Sequence, residues 1–141
     1  MEIPIERLTR AFLLTRDLAV ALSQEDLQLK LGDLPSNTIG EQFWCMIGAR
    51  ESYLKAMRNE GWAGFSCSLS DTTSKDMVLA CLGDSAARCL AFLARHALNP
   101  VQIDFMMDLL EHEVQHHGQL IRYVYGNRLA FPKSWTDRYT V

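Results

Sequence analysis

Apolar residues recur every three or four positions along most of this chain, and almost nothing alternates with the period of two that marks a strand. Ile5, Leu8, Phe12, Thr15, Leu18 and Leu22 form one such stripe and predict a helix over about Ile5–Ser23. The connector QEDLQLKLGDLPSN follows, broken by Gly32 and Pro35. A second helix is predicted from near Thr38 to just before Gly61, with Ile39, Phe43, Met46, Ile47, Tyr53, Leu54 and Met57 on its apolar side. Thr38 and Glu41 are spaced as a capping box, each side chain able to satisfy a free backbone N–H of the first turn. The stretch GWAGFSCSLSDTTS is a loop by composition, and its Trp62 and Phe65 are expected to fold back on the helices. A third helix is expected from around Thr73, with Asp76 as a weaker capping signal. It continues through Met77, Cys81, Leu82, Ala86, Cys89, Leu90 and Leu93 to a stop at Asn99-Pro100. The fourth runs over about Val101–Tyr125, close to 40 Å at roughly 1.5 Å per residue, and stops at Gly126-Asn127.

Four helices of similar length with modest connectors predict an all-α four-helix bundle, one domain over residues 1–141. The tail RLAFPKSWTDRYTV lacks periodicity. It is expected to be ordered by packing Phe131, Trp135 and Tyr139 against the bundle.

Composition narrows the partners. Apolar residues are 48% and charged residues 22%, which is globular rather than disordered. A net charge of −3 with no run of Lys or Arg argues against a nucleic-acid binder, which needs a basic footprint to neutralise phosphates. The start, MEIPIERLTR, is acidic, and no apolar run approaches the roughly 18 residues of a membrane span. A soluble, cytoplasmic protein is the expectation. Cys45, Cys67, Cys81 and Cys89 form no CxxC pair, so reduced thiols are expected.

The candidate chemistry lies in HEVQHHGQL, His112 to Leu120. On a helix, His112 and His116 project from one face and can share one ion, with Gln115 and Gln119 flanking it. His117 is turned about 100° away. The first five residues fit the zinc-protease pattern HExxH, with Glu113 as general base. The extension HExxHxxGxxH fails, however, because Gly118 is one residue early and position 122 is Arg; no Glu follows His117. A di-iron bundle site needs Glu-x-x-His twice, and the chain has it once, at Glu113 and His116. The remaining metal option is one ion held by residues of two helices, His112 and His116 with Cys45. Cys45 shares its face with Glu41, Gly48/Ala49 and Ser52, whose small residues leave room for a ligand or a close helix approach. Two imidazoles and a thiolate suit zinc and leave a fourth position for water. Beside this stands the plain alternative, hydrogen-bonded or solvent-facing histidines and a core cysteine.

The stretch EHEVQHHGQLIRYVYGNRLAFPKSW resembles the last helix and tail of the DinB-like (DinB/YfiT) superfamily. That family typically reads His-x-x-x-His-Arg-Gly-Gln-Leu, then a Gly, then a Pro before an aromatic. His112, His116, Gly118, Gln119, Leu120, Gly126, Pro132 and Trp135 match, and His117 stands in the Arg place. The second helix, NTIGEQFWCMIGARESYLKAM, is also similar. The resemblance implies a four-helix bundle, often a homodimer, with zinc or nickel bound by three histidines. His112 and His116 match two of those ligands, and the third falls on Cys45, a departure that either substitutes a softer ligand or abolishes the site. Glu41, one turn earlier, is a fallback ligand, and Cys67 and His117 are further candidates. Some relatives are transferases using low-molecular-weight thiols as cosubstrates. The resemblance therefore implies a metal-dependent thiol transferase, or a metal-free ligand-binding or dimerisation module that kept the bundle.

Overall fold

Two helices begin on reciprocal caps. Thr38 Oγ1 accepts from the Glu41 N–H at 3.1 Å while the Glu41 carboxylate accepts from the Thr38 N–H at 2.7 Å, which starts α2 (Ile39–Asn59). Asn99 and Gln102 make the same exchange at 2.9 and 3.0 Å and start α4 (Pro100–Gly126), with Pro100 in its first turn. The Asn99-Pro100 pair is thus a start signal for α4. α1 spans Glu2–Ala21, α3 spans Lys75–Arg95, and a short α5 spans Lys133–Arg138. The computed structural model describes residues 1–95 and 97–141, and among them every helix and turn is free of strand pairing.

α3 departs from its expected cap and face. Thr73 Oγ1 is engaged by Asp71 at 2.7 Å, and Ser74 Oγ instead accepts from the Met77 N–H at 3.3 Å. Its buried residues are Val78, Leu82, Ser85, Cys89, Phe92 and Leu93, while Met77 lies at the surface. Leu82, Cys89 and Leu93 of the expected face are buried, and the physical reason for the rest is that apolar residues such as Met77, Leu79 and Leu90 also flank the buried stripe of α3. Its best 18-residue window reaches a mean hydropathy of 1.6, long and apolar enough for a membrane span by length and composition. Counting uninterrupted apolar runs overlooks such a window. A third of it is buried within the bundle.

The core falls into two apolar halves. One holds Leu18, Leu22, Ile39, Phe43, Ile47, Val78, Leu82, Leu120 and Val124. The other holds Leu8, Phe12, Leu54, Met57, Cys89, Leu93, Met106 and Leu109. α1 and α4 begin in the second half, whereas α2 and α3 end in it, so α2 and α3 run parallel. Residues 60–74 make the required return along α2: Ser66 meets Ser52 at 3.0 Å, Ser68 meets Glu51 at 2.9 Å, and Cys67 donates to the Trp44 carbonyl at 3.3 Å. Phe65 seats over Gly48 and against Trp44, and Trp62 packs on Tyr53, as their aromatic character suggests, although both stay about half exposed.

The tail is ordered and partly helical. Trp135 on α5 is fully buried, and its Nε1 donates to the Leu14 carbonyl at 2.7 Å. A helix of six residues offers too short a window for periodicity to reveal.

Two glycines on helices should respond oppositely to a methyl group. A Cβ on Gly40 would collide with the Thr72 carbonyl where the return loop crosses α2, whereas one on Gly118 meets nothing within 4 Å. Gly40→Ala is expected to cost about 1–3 kcal/mol. Gly118→Ala is expected to add roughly 0.5–1 kcal/mol by removing backbone freedom from the unfolded chain. Urea unfolding of both variants checks the pair of signs.

Candidate metal centre

Cys45 comes from the second turn of α2, and His112 and His116 come from consecutive turns of α4. Cys45 Sγ lies 3.6 Å from His112 Nε2, the two imidazole rings are 4.5 Å apart, and one donor atom from each of the three residues falls within 4.8 Å of the others. The spacing fits an ion. Ligands at about 2.3 Å (sulfur) and about 2.0 Å (nitrogen), set at the tetrahedral angle, stand roughly 3.5 Å apart. A Cys-His-His group that could hold a metal ion is therefore present.

The environment prepares these donors. His116 Nδ1 meets the Gln42 side-chain oxygen at 2.5 Å, and an amide oxygen only accepts. The network thus assigns the proton to Nδ1 and leaves Nε2 free. Gln42 is itself held by Asn37 at 3.0 Å, and the Tyr123 hydroxyl secures Asn37 by donating to its carbonyl at 3.0 Å. Burial, reinforced by the neighbouring His112, pulls His116 down to about 4, and burial also lowers His112. Both imidazoles are therefore in the neutral, ligating form at pH 7. Burial raises the Cys45 thiol, so an ion would have to displace its proton. His112 Nδ1 is buried and has no partner among the described residues. A cavity of about 450 Å³, lined by Asn37, Glu41, Trp44, Cys45 and Thr72, opens beside the thiol. Another, of about 290 Å³, reaches His112 between Tyr53, Asp108, Glu111 and Gln115.

The other candidates have separate work. The Glu41 carboxylate caps α2 through the Thr38 N–H, although it also borders the larger cavity. Cys67 is bonded to the Trp44 carbonyl and lies outside the three-residue group. His117 and Glu113 point away from Cys45 into a buried polar layer between the two apolar halves. Glu113 pairs with Arg50 Nη2 and also accepts from Arg50 Nε at 3.2 Å and from Thr15 Oγ1 at 2.5 Å. His117 Nε2 stands 2.8 Å from Thr15 Oγ1, and its Nδ1 stands 2.7 Å from the Tyr139 hydroxyl. With Glu113 ionised and Thr15 donating to it, His117 donates to Thr15 and accepts from Tyr139. Burial alone would raise the Glu113 carboxyl, but the charge and hydrogen bonds of Arg50, with the hydrogen bond from Thr15, hold it below the ordinary range. A carboxylate so engaged is not a general base, and the HExxH protease reading is set aside.

Sequence reading missed Arg50, Thr15 and Gln42 as parts of one construction. Arg50 did leave a signal: a cation on the α2 stripe between Met46/Ile47 and Leu54 has to find a buried partner. The residues together define an all-helical protein with four long packed helices and a Cys-His-His cluster on two of them. No family model matches the chain, and no curated protein matches it.

The polar layer predicts two responses. Arg50→Met leaves Glu113 buried without its counter-charge and is expected to cost about 3–5 kcal/mol, whereas adding Glu113→Leu recovers part of the loss. Acid should also destabilise the fold before ordinary carboxylates titrate. His116 and His117 sit at about 4 when folded against an ordinary 6.5. The unfolded chain therefore takes up protons first, and stability falls as the pH drops from about 6.5 toward 4. Chemical denaturation across that range checks the slope, and His117→Gln should flatten it.

Proposed function

We propose that this chain is a DinB-like bundle that holds one divalent ion, zinc or nickel, through Cys45, His112 and His116, and acts as a metal-dependent transferase toward a low-molecular-weight thiol. The observation that carries the reading is the 3.6 Å approach of the Cys45 thiol to a neutral His112, within a three-donor group spanning no more than 4.8 Å. A bound ion would supply a Lewis-acidic centre that favours the thiolate form of a cosubstrate. The protein's own part is orientation and exclusion. Gln42 fixes the His116 ring, burial keeps both imidazoles unprotonated, and the cavity walled by Trp44 gives a small molecule access to the thiol side of the group. A soft thiolate in the ligand set favours zinc over harder ions. The same 3.6 Å contact is also a hydrogen bond that needs no ion, and it favours the second reading, a bundle that has dispensed with metal.

Metal analysis of protein purified without a histidine tag separates the two. The metal reading expects about one equivalent of zinc per chain, retained through dialysis and lost in Cys45→Ser. Gln42→Leu, which frees the His116 ring, should weaken binding roughly 10–100-fold. Near neutral pH about one proton should be released per ion, from the thiol, since the imidazoles carry none to lose. Less than about a tenth of an equivalent after zinc is added would sink the reading. Gain of binding by Cys45→His alone would establish the metal-free one.

A further inference from the structure

A second site lies on another side of the bundle. Arg7 and Arg10 on α1 and Arg138 on α5 border one cavity of about 310 Å³, floored by Leu110 and Val114 of α4 and closed by Tyr139. No carboxylate lines it, and among the described residues none of these three arginines forms an ion pair. Like charges gathered around a low-dielectric floor repel one another, and a fold tolerates this most readily where an anion is to be received.

The third arginine is brought there by construction. α5 is pinned by the buried Trp135 and its bond to the Leu14 carbonyl, and Tyr139 is pinned by His117. Arg138 then lies over the Tyr139 ring, its Cζ 5.4 Å from the centroid, which leaves the guanidinium edge free for a ligand. The same helix does pair a neighbour, Lys133 with Asp137 at 2.6 Å, so Arg138 is left out of a pairing that α5 makes elsewhere. Guanidinium forks match the oxygens of a carboxylate or phosphate, and the Leu110 and Val114 floor suits an apolar body the size of one ring or a short alkyl chain.

We infer that the cavity between α1, α4 and α5 binds a small amphipathic organic anion, its carboxylate or phosphate held by Arg7, Arg10 and Arg138 and its apolar part against Leu110 and Val114. The site is independent of the Cys-His-His group. Cys45 lies on α2, which contributes nothing to the cavity lining.

Calorimetric titration of the full chain tests this with benzoate, phenyl phosphate, inorganic phosphate and benzyl alcohol. Benzoate or phenyl phosphate should bind saturably, the tighter of the two identifying the headgroup. Inorganic phosphate, lacking the apolar body, should bind at least about tenfold more weakly, and neutral benzyl alcohol should give no saturable heat. Arg10→Gln with Arg138→Gln should weaken the anion at least about tenfold, while Cys45→Ser should leave it unchanged. If the double variant loses its helical circular dichroism, Arg7→Gln, an exposed change on α1, is read instead and should also weaken binding. Absence of saturable binding by both aromatic anions, equal binding of the neutral alcohol, or unchanged affinity in the arginine variants would overturn the site.

Discussion

The fold is organised around one buried ion pair, Arg50 with Glu113. Removing two charges from water is costly, and their attraction offsets this only when the remaining hydrogen-bonding groups are also satisfied. Here they are drawn from every long helix. Arg50 on α2 reaches Glu113 on α4, gives Nη1 to the Leu82 carbonyl of α3 at 3.0 Å, and lays its guanidinium 4.2 Å over Phe12 of α1. Thr15, also from α1, completes the carboxylate. Apolar packing is permissive about register, whereas this arrangement is not. A slide of one turn between α2 and α4 would strand both charges in the core. The pair thus fixes which residues of α2 stand opposite which residues of α4.

That register places the candidate metal donors. In the register that pairs Arg50 with Glu113, Cys45 stands alongside the α4 histidines. The turn of about 100° between successive helix residues then separates the two jobs. His112 and His116 face Cys45, while Glu113 and His117 face α1. One helix can therefore support a rigid charged layer and an accessible donor group a few ångströms apart without either consuming the other's side chains.

The sequence carried the helices well and the polar layer poorly, for one physical reason. Caps and periodicity are local. Thr38 with Glu41 announces α2 within four residues, and the structure realises both bonds. The meeting of Cys45 with His112 and His116 was also legible, because two imidazoles four apart on a helix ask for a ligand from a neighbour, and a thiol on a face of small residues is a short list. The partners of Arg50 are not local. Glu113 lies 63 positions from Arg50, and Thr15, which completes the carboxylate, lies 98 positions from Glu113; nothing in any of these neighbourhoods names the others. The path of α3 was hidden for a related reason. Apolar residues flank its buried stripe, so its pattern marks that face only in part, and its direction is set by the long return of residues 60–74.

His117 shows how closely the two halves of α4 are tied. Placed one residue after a candidate ligand, it serves a different purpose: its ring packs on Trp135 at 4.9 Å and passes a hydrogen-bond chain from Tyr139 to Thr15 and on to Glu113. With the imidazole neutral, the Tyr139 hydroxyl donates to Nδ1 and Nε2–H donates to Thr15, so every group in the chain has a partner of the right kind. Burial, chiefly, keeps the ring neutral, with its pKa at about 4. The C-terminal tail is therefore more than a cover. By docking Trp135 and Tyr139 it seals His117 from water, which keeps the chain of donors pointed at Glu113, which in turn holds Arg50 and the register of α2. The donor group on the other face of α4 inherits its geometry from contacts made by residues at the far end of the sequence.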